Sequence, residues 1–338
     1  MKLRPFFLTI AAAALVFAPM GCKKKADAAA SDPDVYVLGI EYDGEGGTLP
    51  PILWKNGEAQ RLDMNNAPEA IFVSGNDVYL AGQGWQESNT TAVLWKNGEA
   101  QQLSDGKTDA FAQSVFVHGK DVYIAGVEKN AAGYAMATLW KNGKAQHLSK
   151  GETRAYANAV FVSGKDVYVA GNEDDAEGKT VPTLWKNGQA QRLGPGSNYD
   201  YANSVYVLGK DVYVAGRVND PQRHWAVTLW KNGKAQLLSY GWDNAGSVFA
   251  SGNDVYVAGT EDIDIGNGVA TLWKNGEAQR LSDGKNSSSA NSVYVFGDDV
   301  YVAGADKGAT LWKNGVAQRL PVDENSVATH VFVASKGK

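Results

Sequence analysis

A single cysteine, Cys22, rules out any disulfide framework. Histidine is almost as scarce. The four residues, His118, His147, His224 and His330, fall on four different kinds of segment, with no His-Glu-x-x-His and no spaced pair for zinc. Only His224, beside Asp220, Arg223 and Trp225, sits where a general base could serve. Neither sign of charge dominates: 32 Lys and Arg face 37 Asp and Glu, for a net charge of −5. A nucleic-acid binder needs a concentrated basic surface, so that class is excluded. Gly-x-Ser-x-Gly and the phosphate loop are both missing. What remains, at 44% hydrophobic and 20% charged residues, is the composition of a folded globular protein with heavy Trp, Tyr and Gly usage.

The amino terminus reads as an address. Lys2 and Arg4 precede an uncharged, largely apolar run from Pro5 to Gly21, the layout of a secretory signal, and Lys23, Lys24 and Lys25 end it too early for a membrane span. The run closes in Ala18-Pro19-Met20-Gly21-Cys22, which resembles the cleavage box of bacterial lipoproteins. Pro19 departs from the Leu usual in that family. The resemblance implies a signal peptide over 1–21, lipidation of Cys22 and an extracytoplasmic, membrane-anchored protein. Residues 22–33 then form a flexible tether, since 23–33 hold no large apolar side chain. Contact with the membrane is expected through the lipid alone.

The rest of the chain is one unit written seven times. Leu-Trp-Lys-Asn-Gly recurs with its Trp at 54, 95, 140, 185, 230, 273 and 312, a period of 39 to 45 residues. Asp-Val-Tyr recurs with its Tyr at 36, 79, 123, 168, 213, 256 and 301, and a Val-Phe-Val-like run begins at Ile71, Val115, Val160, Val205, Val248, Val293 and Val331. These runs are short, β-branched and aromatic, and punctuated by Gly, so they are strands. Asn-Gly between the third and fourth runs suits a two-residue hairpin turn. Four antiparallel strands per unit, seven times over, predict an all-β, seven-bladed β-propeller over residues 34–334, with 335–338 as a tail. The chain begins this region at Asp-Val-Tyr and ends it at Val331-Phe332-Val333. One blade should therefore combine a carboxyl-terminal strand with three amino-terminal strands, closing the ring. An open β-solenoid gives those complementary half-units no purpose. The pattern resembles propellers of the Trp-Asp and kelch kinds, and more closely bacterial secreted repeats with a phrase like Asp-Val-Tyr-Val-Ala-Gly. Neither the Trp-Asp dipeptide nor the kelch double Gly recurs from unit to unit, so the resemblance implies a fold and no activity. A monomer is expected.

The repeated Trp and Tyr are read as packing residues, the repeated Asp as a turn residue, the repeated Lys as a solvated charge and the glycines as turns. Subtracting the repeat leaves aromatic residues on the connections that vary between units, which strand order places on one face. Candidate ligand-binding residues are Trp85, Phe111, Tyr134, Tyr156, Tyr199, Tyr201, Trp225 and Trp242. Phe111, Tyr156 and Tyr201 share one position in three consecutive units and should form an arc at the channel mouth. Flat aromatic faces beside carboxylates and amides suit stacking against a sugar or anchoring a protein, so an envelope protein or glycan is the expected partner. The alternative is a polysaccharide-active enzyme, a glycosidase or lyase, using carboxylates around the mouth. No cofactor is expected. A calcium ion at Asp262 and Asp264, within Glu261 to Gly268, is the one weak exception.

Overall fold

The computed structural model describes residues 32–336 apart from 46, 65–67, 87, 221–223, 242, 243, 265 and 266. Cys22, Trp242 and the signal segment lie outside the described residues, as do the side chains of Asp220 and His224. Among the described residues, twenty-eight strands, numbered in chain order, form seven four-stranded antiparallel sheets. In a typical blade, β12 (Ala155–Ser163) is innermost, followed outward by β13 (Asp166–Asp174), β14 (Thr180–Lys186) and β15 (Gln189–Arg192). The fold is a seven-bladed β-propeller, as the repeat predicts.

Closure follows the expected route. β28 (Ser326–Ala334) pairs with β1 (Asp34–Glu41), matching Asp34 to Ala334, Tyr36 to Phe332 and Glu41 to Ser326. β2 (Ile52–Lys55) and β3 (Glu58–Arg61) complete that blade. Between blades, each repeated Trp packs in a cluster with the repeated Tyr of the preceding blade. Trp185 joins Tyr123, Trp230 joins Tyr168, and across the closure Trp54 joins Tyr301. Six of the seven Trp are no more than 1% exposed. Each such ring removes a large apolar area from water, which stabilises the interface by roughly 2–3 kcal/mol.

The Asn-Gly turns take the conformation their sequence favours. All seven Asn have φ between 50° and 55°, and the Gly that follows lies between 78° and 89°. These turns share a face with the connections between first and second strands, and the structure corrects the reading of the residues beside them. The repeated Lys is not simply a solvated charge. In every blade its Nζ lies 2.7–2.9 Å from the repeated Asp, as in Lys186–Asp166, and 5.0–5.4 Å from the centre of the repeated Tyr. The turn Asn donates to the other oxygen of that Asp, and its own Oδ1 accepts the next backbone N–H, as Asn187 does between Asp166 and Val167. Each half-exposed pair contributes little alone. Together, the four side chains fix the hairpin ends on the short-turn face.

A second correction concerns the Gly of Val-Ala-Gly, which is not in a turn. Gly171 lies mid-strand in β13, and a Cβ there would come within 1.9 Å of the Tyr156 carbonyl oxygen. Gly126, Gly216 and Gly304 make the same approach to Phe111, Tyr201 and Ser289. The carbonyl is there because every innermost strand carries a β-bulge at this level.

Candidate functional site

The bulge decides what faces the axis. On β12 the register skips from Ala157 to Ala159, so Asn158 is the extra residue. The same skip occurs in β4 (Pro68–Ser74), β8 (Ala110–His118), β16 (Tyr201–Leu208), β20 (Asn244–Ser251), β24 (Ser288–Phe296) and β28. The bulged residues are Glu69, Gln113, Asn158, Asn203, Gly246, Asn291 and Thr329, and all seven line one axial cavity of about 1100 Å³. A bulge re-aims a side chain away from the regular alternation, which here turns a polar residue toward the axis from six blades, Gly246 being the exception.

These polar side chains also tie the blades together. Asn158 Nδ2 donates to the carbonyl of Ala202, Asn203 to that of Ala245 and Asn291 to that of Ala328, at 2.9–3.0 Å, each reaching the next blade. A carbonyl only accepts, so the amide orientation is fixed. One step along the strand, the hydroxyls of Ser114, Ser204 and Ser292 accept the backbone N–H of Val160, Val248 and Val331. Three residues beyond the bulge comes a closed collar of seven rings: Phe72, Phe116, Phe161, Tyr206, Phe249, Tyr294 and Phe332, with neighbouring centroids 4.4–5.0 Å apart. Burial in the collar pushes the Tyr294 hydroxyl up to about 12.

The predicted aromatic residues divide around this cavity. Tyr156, Tyr199 and Tyr201 line it, joined by Tyr42. Trp225 lies behind them, its ring edge-on to Tyr199 at 5.4 Å. What unites this group is Arg217, whose guanidinium lies 5.0 Å from the Tyr201 ring and 4.8 Å from Trp225 while its Nε donates to the Tyr199 carbonyl. Arg217 was invisible in the repeat, because its partners come from neighbouring strands and a loop. Phe111 holds the expected position on β8 but is half-buried and does not line the cavity. Trp85, 65% exposed, and Tyr134 stand farther out on blade hairpins. Connections read as loops prove largely to be extended hairpins: β5 (Asp77–Gln86) and β6 (Asn89–Lys96) pair as far as Gln86 and Asn89.

Two carboxyls line the cavity among the described residues, Glu69 and Asp174. Asp174 is committed: Arg154 Nε lies at 2.8 Å and the Thr180 hydroxyl donates to its other oxygen at 3.0 Å. Glu69 is open to cavity water, yet the surrounding protein desolvates its carboxyl and pushes its pKa up. Nearby, burial raises Asp200, which accepts from the Ser197 hydroxyl and the Asn219 backbone N–H. His330 occupies the place of the inter-blade serines, and its Nδ1 is buried with no hydrogen-bond partner. Burial brings its imidazole down to about 4, so it is neutral at neutral pH.

The segment considered for calcium is strand where a wrapping loop was expected. Asp262 and Asp264 belong to β21 (Asp254–Asp264), paired with β22 (Asn267–Lys274). Among the described residues no group of three or more His, Cys, Asp and Glu gathers in a way that could hold a metal.

No family model matches the sequence, and no curated protein matches it. Among solved structures, the chain is similar to the crystal structure of the computationally designed Ika8 protein, at 16% identity and a TM-score of 0.47, over 91% of this chain and 95% of that one. A likeness at that level carries neither a function nor a partner to this chain.

Proposed function

We propose that this propeller is a binding module that takes a glycan at the mouth of its axial cavity, and that it works outside the cytoplasm, tethered to a bacterial membrane through a lipidated Cys22. The observation that carries the binding reading is the cavity itself: a concave mouth lined by Tyr156, Tyr199 and Tyr201 together with amide and hydroxyl groups. A polyhydroxylated ring needs that combination, an apolar face to cover its C–H surface and fixed polar groups for its hydroxyls. The exposed large apolar side chains add support. Tyr42, Trp85, Tyr134, Tyr156, Tyr199, Tyr240 and Ile263 all stand on the variable face, with Val316 alone elsewhere among the described residues. Such segregation marks an interaction face.

A protein partner would use the outer members, Trp85 and Tyr134, more than the throat. The enzymatic alternative has less support, because one of the two described cavity carboxyls, Asp174, is held by Arg154 and Thr180.

Replacing Tyr156, Tyr199 and Tyr201 together by Ala should weaken binding to the best glycan found on an array by roughly 10- to 1000-fold, at ~0.5–1.5 kcal/mol per ring. Titration calorimetry reads this, with an unchanged circular-dichroism spectrum as the fold control. Wild-type affinity in the triple variant would refute the site. For the anchor, Cys22→Ser should move the protein from the membrane fraction to the soluble one; continued membrane retention would count against lipidation.

A further inference from the structure

The throat is not neutral toward the chemistry of its ligand. Each Nδ2 of Asn158, Asn203 and Asn291 donates one of its two hydrogens to a carbonyl of the next blade, which fixes the amide and leaves its Oδ1 to meet the cavity. Three fixed acceptors from three blades therefore stand in the same ring as the carboxylate of Glu69. Among the described residues the other charges lining the cavity cancel: Arg154 and Asp174 neutralise each other at 2.8 Å, His330 is neutral at neutral pH, and no lysine is in the lining. Arg217 is turned against Tyr201 and Trp225 outside the lining. Glu69 is thus the one carboxylate lining the cavity among the described residues that no cation pairs, and with fixed amide oxygens in the same ring it can receive a cationic donor.

We infer that the cavity selects a glycan bearing a free, protonated amine, with Glu69 as its counter-ion and the Asn158, Asn203 and Asn291 amide oxygens as acceptors for its N–H and O–H groups. This rests on the glycan-binding reading and narrows it. An ammonium at Glu69 forms a charge-assisted hydrogen bond in a partly desolvated site, where it is stronger than one between neutral groups. It also supplies a counter-charge that offsets the burial by which Glu69 is pushed up in the free protein. An N-acetylated sugar of the same length has a neutral amide at that position and cannot supply this.

The test compares two probes of equal length, a glucosamine hexamer and its fully N-acetylated counterpart, by calorimetry in a weakly acidic, low-salt buffer. The amino hexamer should bind at least about tenfold more tightly, and the preference should shrink with added salt. Glu69→Gln, close to isosteric, should bring the ratio of the two affinities to about one, with an unchanged melting profile excluding a folding defect. Equal binding of the two hexamers to the wild type, or a preference that survives Glu69→Gln, overturns the assignment while leaving a glycan site in place. If neither hexamer binds but a neutral glycan from the array does, the amine selectivity falls and the glycan reading stands. If no glycan of any kind binds, both fall.

Discussion

Removal of β28, by ending the chain after Asn325, should abolish cooperative unfolding of the propeller. β28 supplies the innermost strand of the first blade, with Ala328, Val331 and Val333 in the cluster around Trp54 and Tyr301, and Phe332 in the aromatic collar. Burying each large apolar side chain contributes about 1.5–3 kcal/mol, and the truncation also exposes the inner edge of β1 and the flank of β4. Set against a net stability of roughly 5–15 kcal/mol for a domain, that loss leaves no folded margin. A thermal melt followed by circular dichroism should show a broad, sloping signal or precipitation. Ending the chain after Ala334 is the control and should melt like the full chain. A sharp transition near the wild-type temperature in the chain lacking β28 would show that the other blades stand without closure.

Gly171→Ala, with the equivalent changes at Gly216 and Gly304, should be among the most damaging single methyl additions to this molecule. The new Cβ would meet the Tyr156 carbonyl oxygen at 1.9 Å and the Ala157 Cα at 3.1 Å, both backbone atoms that no rotamer change can move aside. Either the bulge flattens or β13 separates from β12, and a loss of about 3 kcal/mol follows, a fall in Tm of roughly 5 °C or more. Gly194→Ala, where nothing lies within 4 Å, should stay within about 0.5 kcal/mol of wild type. Because Asn158 is the bulged residue, Gly171→Ala should also displace its amide from the Ala202 carbonyl and weaken ligand binding more than its stability loss explains. A melt matching that of Gly194→Ala would mean the bulge has slack the geometry does not show.

The ring, the blade count and the closing strand were legible because each rests on local pattern repeated many times: β-branched runs, Asn-Gly turns and a period that the two half-units complete. The four-membered grouping of Asp, Lys, Tyr and Asn on the short-turn face was not. Its members sit about 20 residues apart and meet only when the second and third strands pair, as Asp166 meets Lys186 and Asn187. The throat was hidden for a different reason. In Ala157-Asn158-Ala159, regular alternation puts Asn158 on the opposite side from its alanine neighbours and says nothing of an axis. Only the skipped register brings the bulged residue of every blade to one cavity, six of the seven being polar. The recurring Ala-Asn-Ser, at Ala202-Asn203-Ser204 and Ala290-Asn291-Ser292, was the available signal. The aromatic arc was half legible: Tyr156 and Tyr201 reach the cavity, Phe111 on the equivalent position does not, and Arg217 joins the group from β17 (Asp211–Asp220), at the first position past the repeated Asp-Val-Tyr-Val-Ala-Gly.

The pairing of Asp34 with Ala334 has a directional outcome. Asp34 holds the register of Asp77, Asp121 and Asp166, directly after the short turns, so the amino-terminal segment enters the ring on that side and the carboxyl end leaves beside it. The cavity opens on the other side. Any support gripping the amino end, whether a bilayer or a bead in an assay, would hold the disc by its back and point the mouth outward, leaving both the tyrosine arc and Glu69 unobstructed.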